Sequence, residues 1–155
     1  MRLSTHSKLA DINEDAWNAL VGGNPFLSHG FLSTLESTNC LEPQGWYPHH
    51  LLLWDGDVLR AALPLYLRDN SYGEFVFDWA WAEAYEKGGG KYYPKLVTAV
   101  PFSPVGGSRF LIDPCDTKAQ EMASQLLNAV KSICQDNEFS SWHCLFLDEI
   151  QKDFF

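Results

Sequence analysis

The sequence predicts a mixed α/β fold of the α+β kind, with strands and helices sharing one domain. Three observations carry this reading. Two apolar runs, Tyr47 to Trp54 and Val58 to Leu67, are joined by Asp55-Gly56-Asp57, a hairpin turn in which glycine tolerates positive φ. Residues 117 to 136 repeat apolar side chains at helical spacing along one side. The 155 residues fit a single domain with a real core.

Taken in order, residues 3 to 10 have a weak strand pattern. Asn13 is the expected N-cap of a first helix, with Glu14 and Asp15 in the turn where the helix dipole favours acids. Ile12 and Trp17 fall at the staple positions, and Gly22-Gly23 closes the helix. A second helix is capped by Ser28, with Leu27 and Leu32 as its staple, and breaks at Thr38-Asn39 and Pro43-Gln44-Gly45. The hairpin runs are almost continuously apolar, as expected of a sheet covered on both faces. Pro64 inside the second run implies a bulge or an edge stretch. Asp69-Asn70-Ser71 turns the chain into a third strand, Gly73 to Phe77. Trp79 to Lys87 reads as a helix closed by Gly88-Gly89-Gly90, and Tyr93 to Val100 as a further helical turn or two. Pro101 to Gly107 is a rigid loop before a strand around Phe110 to Ile112. The long helix over 117 to 136 is expected to open with a Thr117/Gln120 capping box, and Trp142 to Leu147 is a last strand.

Composition removes several classes of function. The formal net charge is −9, with no run of Lys or Arg, which argues against a nucleic-acid groove or an anionic membrane surface. No stretch reaches the length of a membrane span, and the N-terminus lacks the apolar core of a secretory signal. Cys40, Cys115, Cys134 and Cys144 have neither Cys-x-x-Cys nor zinc spacing, so free thiols in a reducing cytoplasm are expected. His49-His50 and His143-Cys144 would point to opposite faces of a strand, so no metal site is expected.

The unusual stretch runs from Ser71 to Arg109. Trp79, Trp81 and Tyr85 stand close together, followed by Tyr92 and Tyr93, with Glu74, Asp78, Glu83, Lys95 and Arg109 interleaved. Rings with polar tips suit a pocket wall that is apolar at one end and wet at the other. Core packing is the competing reading for each ring taken singly.

Asn24-Pro25-Phe26-Leu27-Ser28, Gly45-Trp46-x-Pro48-x-His50-Leu51, Pro64-Leu65-Tyr66-Leu67, Ser71-Tyr72-Gly73-Glu74-x-Val76-Phe77-Asp78-Trp79-Ala80-Trp81 and Tyr92-Tyr93-Pro94-Lys95-Leu96 through Pro101-Phe102-x-Pro104 follow one another in this order. The series resembles the bacterial FemAB-like N-acyltransferases of the GNAT superfamily, often labelled peptidoglycan-biosynthesis-like proteins. The resemblance runs from about Asn24 to Ile112. It implies a GNAT-like mixed, mostly antiparallel sheet flanked by helices, and acyl transfer to an amine of a small molecule or peptide. The donor it implies is acyl-CoA or, in related ligases, aminoacyl-tRNA, which the acidic charge disfavours. It also implies that residues 1–155 form a single GNAT-like domain, the first half of a longer two-domain architecture.

One departure concerns the donor. The Gly-rich pyrophosphate loop that opens a helix in active GNATs is absent, and Gly106-Gly107-Ser108-Arg109 leads into a strand instead. Amine acylation needs a base, donors for the carbonyl oxygen and an acid for the leaving group. Asp78, Tyr85 and Tyr93 are the candidate catalytic residues, and Trp79, Trp81, Tyr92, Lys95 and Arg109 the candidate substrate-binding ones. Asp78 also stands where it would simply cap the helix beginning at Trp79. A second expectation is non-catalytic: a degenerate GNAT-like domain that binds a ligand or self-associates, as a homo-oligomer through an open edge at the last strand or with a missing C-terminal half.

Overall fold

The computed structural model describes residues 1–154. Among the described residues, eight strands form two four-stranded sheets, with order β1-β3-β4-β7 in the first and β2-β5-β6-β8 in the second. The first contains β1 (Arg2–His6), β3 (His50–Asp55), β4 (Val58–Leu63) and β7 (Leu111–Ile112), paired antiparallel throughout. The second contains β2 (Trp46–Pro48), β5 (Tyr66–Arg68), β6 (Lys95–Thr98) and β8 (Trp142–Cys144). In this second sheet β6 and β8 pair in parallel and the other neighbours antiparallel.

The hairpin around Gly56, at φ 58°, supplies both sheets. Each of its arms changes sheet beside a proline, Pro48 on one arm and Pro64 on the other. Proline offers no N–H, so the ladder is interrupted there. The gap is closed by other means. The His49 amide donates to the Leu65 carbonyl at 2.8 Å, and the Leu65 amide donates to His50 Nδ1 at 3.2 Å. The residue expected to mark a bulge thus marks the switch between sheets, and the register irregularity lies instead at Leu53/Trp54.

Strand alternation sends Leu51, Leu53, Ala61 and Leu63 to one face of the first sheet and Leu52 and Ala62 to the other. The first face packs on α4 (Ala119–Asp136) through Met122, Ala123, Leu126 and Val130. The second packs on α1 (Glu14–Val21) and α2 (His29–Ser37) through Trp17 and Leu32. Both helices start as their caps dictate: Asn13 accepts from the Ala16 amide and Ser28 from the Phe31 amide. Gly22 ends α1 in the left-handed conformation.

Three expectations are corrected. Gly73 to Phe77 is an irregular loop, not a strand: Phe75 and Phe77 take positive φ, and Glu74 turns inward to buried cations. The segment after Tyr93 is β6, not helix, because all four of its residues are buried between β5 and β8. The Thr117/Gln120 box does not form. Lys118 holds the N-cap position without a side-chain bond, and the Asp116 carboxylate accepts the Lys118 amide at 2.9 Å. The helix α3 (Trp79–Lys87) forms as expected but buries only Ala82.

Candidate functional site

Five elements converge below the start of α3: β5 brings Arg68, the 71–78 loop brings Ser71, Glu74 and Asp78, the segment before β6 brings Tyr92 and Tyr93, β6 brings Lys95, and β8 brings His143. Arg68, Glu74 and Lys95 have fully buried side chains. Buried charges persist only when paired and hydrogen-bonded, and each of these is. Arg68 Nε donates to Glu74 Oε1 at 3.0 Å, and its remaining nitrogens donate to Gln44 O, Asn70 Oδ1 and Tyr72 O. The guanidinium lies 3.8 Å from the Trp46 ring centroid. Lys95 Nζ donates to Glu74 Oε2 at 2.9 Å, Asp78 Oδ2 at 2.7 Å and Ser71 Oγ at 2.9 Å, which uses all three of its donors. The loop that sequence patterning reads as a strand is therefore shaped by carboxylates folding back onto two cations.

Asp78 has two unlike oxygens. Oδ2 accepts from Lys95 and from Tyr92 OH, the latter at 2.7 Å. Oδ1 is buried and accepts no hydrogen bond. The side chain gives no cap to α3. Burial alone would raise the Asp78 pKa, but hydrogen bonds from Lys95 and Tyr92, the nearby Ser71 hydroxyl and the Lys95 charge bring it down to about 2. It is thus a firm anion at neutral pH. Burial, then the hydrogen bond and charge of Asp78, push the Tyr92 phenol well above its ordinary value. His143 Nδ1 lies 3.9 Å from Asp78 Oδ2, and its Nε2 is 3.0 Å from Ser141 Oγ. Burial and the Lys95 charge lower the His143 pKa, so the imidazole is neutral at pH 7.

The other candidates fall into different surroundings. Tyr93 is half-buried, with its hydroxyl 2.7 Å from Ser71 Oγ. Tyr85 is exposed and meets Tyr92 edge-on at 6.1 Å. Trp79 and Trp81 lie on the outer surface of α3. Glu83 pairs with Lys87 in solvent. Arg109 is buried away from this cluster, where it donates to the main-chain carbonyls of Val105, Gly107 and Leu145 and so ties the 105–109 loop to the segment after β8. His50 is bound to Glu36 at 2.9 Å. Glu74, Asp78 and His143 offer ligand atoms within 4.8 Å of one another, but the Lys95 ammonium already stands between the two carboxylates.

Sequence reading did not single out Arg68, Ser71 or His143 for this site. Arg68 ends an apolar strand with nothing local to mark it. His143 is set aside when it is weighed only as a metal ligand beside Cys144; strand alternation, the ground for setting it aside, is also what turns it alone toward Asp78.

The two sheets, with helices on both faces of the first, make a mixed α+β fold that carries this cluster at one end of the second sheet. A solved aminoglycoside 6′-N-acetyltransferase from Acinetobacter haemolyticus has the same fold, with a TM-score of 0.53 at 13% identity over 99% of this chain and 85% of that one. The chain belongs to the FemAB-like peptidoglycan biosynthesis/recognition family, whose model matches residues 8–155. No curated protein matches it in sequence. Among the described residues, no helix is long and apolar enough to cross a membrane.

Proposed function

We propose that this chain is the acceptor side of an N-acyltransferase, receiving a primary amine of a peptide or small molecule at Asp78. The observation that carries the reading is Asp78 Oδ1, a buried anionic oxygen without a hydrogen bond. Leaving such an acceptor unmatched costs about 1–3 kcal/mol; because the oxygen is closed to solvent, an ammonium recovers this only once the side chains covering it move aside. His143, a quarter exposed, has its Nδ1 3.9 Å from the other oxygen, Oδ2. With Nε2–H donating to Ser141, its Nδ1 lone pair is available to take one proton from the bound ammonium. That leaves a neutral amine able to attack an acyl carbonyl. Asp78 holds the amine and does not act as the base, since a carboxylate with a pKa of about 2 is too weak for that. Tyr92 and Lys95 fix Asp78, and Ser71, itself bonded to the Tyr93 hydroxyl, fixes Lys95. The family's link to peptidoglycan favours a peptide acceptor, and the solved protein of like fold is an aminoglycoside 6′-N-acetyltransferase.

Acyl-CoA is the donor that the fold family implies, yet the residues opening α4 do not suit its pyrophosphate. The carboxylates of Asp113 and Asp116 already accept the amides of Cys115 and Lys118, and Asp116 also pairs with Arg60. A helix N-terminus supplied with its own anions offers no seat for phosphate. This favours the acceptor-side reading over a complete enzyme. The test is mass spectrometry of a lysine-bearing peptide incubated with the protein and acetyl-CoA. Slow or absent acetylation together with Asp78-dependent peptide binding fits the proposal. Acetylation that is unchanged by Asp78→Asn contradicts it.

A further inference from the structure

A hollow of about 760 Å³ opens between α4 and β8, away from the amine site. Strand alternation puts it there: His143 turns to Asp78, and its neighbours Trp142 and Cys144 turn the other way and line the hollow. Leu127 and Lys131, one turn apart on α4, form the facing wall. Phe146 follows β8, and Lys152 comes from the 3-10 helix Ile150–Phe154. The volume lies within the ~300–1,000 Å³ of small-molecule sites. The apolar lining is half-buried, whereas Lys131 and Lys152 are exposed, so their stems lie along the wall and their ammonium groups stand at the mouth. Cys144 adds no charge: burial pushes its thiol up to about 12 despite the Arg109 charge, so it is a neutral part of the wall. Among the described residues, none that lines the hollow is acidic, in a chain with 20 Asp and Glu against 11 Lys and Arg. Lys152 is offset by Glu149 in solvent, while Lys131 pairs with no carboxylate among the described residues. The charge at this mouth is thus opposite in sign to that of the molecule.

We propose that this hollow binds an apolar chain that ends in a carboxylate, with the chain between α4 and β8 and the head group at Lys131 and Lys152. The walls reward each methylene taken from water. The two ammonium groups are point charges suited to a single small anion. A cationic ligand would meet both of them, and a polyanion would be repelled by a chain of net charge −9. One carboxylate on an apolar body satisfies both constraints. The inference stands apart from the amine reading, because β8 separates this hollow from Asp78.

The test is calorimetric titration of the full chain at pH 7 with decanoate, kept below its micelle concentration. The native protein is compared with Lys131→Glu/Lys152→Glu and with Lys118→Glu, an exposed lysine at the start of α4 that serves as a control. The expected result is saturable binding at one site per chain, weakened at least tenfold in the double variant with thermal melting unchanged, and unaltered in Lys118→Glu. Octanoate should bind on the order of tenfold more weakly, at about fourfold per methylene, and decanamide and decylamine at least tenfold more weakly. No saturable binding by the folded native chain, a double variant that binds as the native protein does, octanoate as tight as decanoate, or decanamide or decylamine as tight as decanoate overturns the proposal. Decanoate binding should be the same in Asp78→Asn, so the outcome for this hollow and the outcome for the amine site are read separately.

Discussion

The face of the first sheet under α4 and the Ser71–Lys87 segment are built on opposite plans. Under α4 the apolar side chains are inside: Leu51, Leu53, Leu63, Met122 and Leu126 are all almost fully buried. In the Ser71–Lys87 segment the rings are outside, and the charged side chains of Glu74 and Asp78 turn inward to Lys95 and Arg68. The first plan stabilises a fold through non-directional burial. The second holds groups in fixed places, at the cost of taking four charges from water.

The largest effect is expected from breaking the inward charge set. Lys95→Met strands Glu74 and Asp78 without their shared cation and should cost about 3–5 kcal/mol in denaturant unfolding. Leu126→Ala, a cavity under α4, should cost about 2–5 kcal/mol. The two respond differently to acid. Asp78 has a folded pKa below its unfolded value, so its contribution is fully present above about pH 4 and is lost as pH falls toward 2. After allowance for solvent screening it amounts to about 1–2 kcal/mol. Leu126→Ala should keep this acid-sensitive step in a pH series of melting curves, and Asp78→Asn should lack it. Asn13→Ala removes a helix cap and should cost about 1 kcal/mol. Trp81→Ala, on the open side of α3, should leave monomer stability within about 0.5 kcal/mol; a larger loss in dilute protein would show that the ring packs inward after all.

The parts of the fold that depend on neighbours in sequence were legible. Asn13, Ser28 and Gly56 act within four residues of themselves, and the α4 stripe follows from helical period alone. What depends on distant partners was not. β6 reads ambiguously because a short buried run has no period of its own, and only pairing with β5 and β8 makes it a strand. Glu74 looks like one position of an alternating strand until Arg68 and Lys95 draw it inward. Asp78 had two local readings, cap or functional acid, and the absence of any cap bond sets the first aside. Aromatic density pointed to the segment that carries Asp78 and Glu74, but it could not tell that Tyr92 faces the buried charges while Trp81 faces outward. His143 arrives from β8, far along the chain from Asp78, with nothing nearby in sequence to announce it.

The central claim is that Asp78 receives an amine. Calorimetric titration with a lysine-bearing peptide, comparing the native chain with Asp78→Asn at pH 7, tests it most directly. Saturable binding at one site per chain is expected, weakened at least tenfold, or about 1.4 kcal/mol, by the substitution, and absent for the same peptide with its lysine amine acetylated. Equal binding by both proteins, equal binding of the acetylated peptide, or no binding by a demonstrably folded native chain would contradict it.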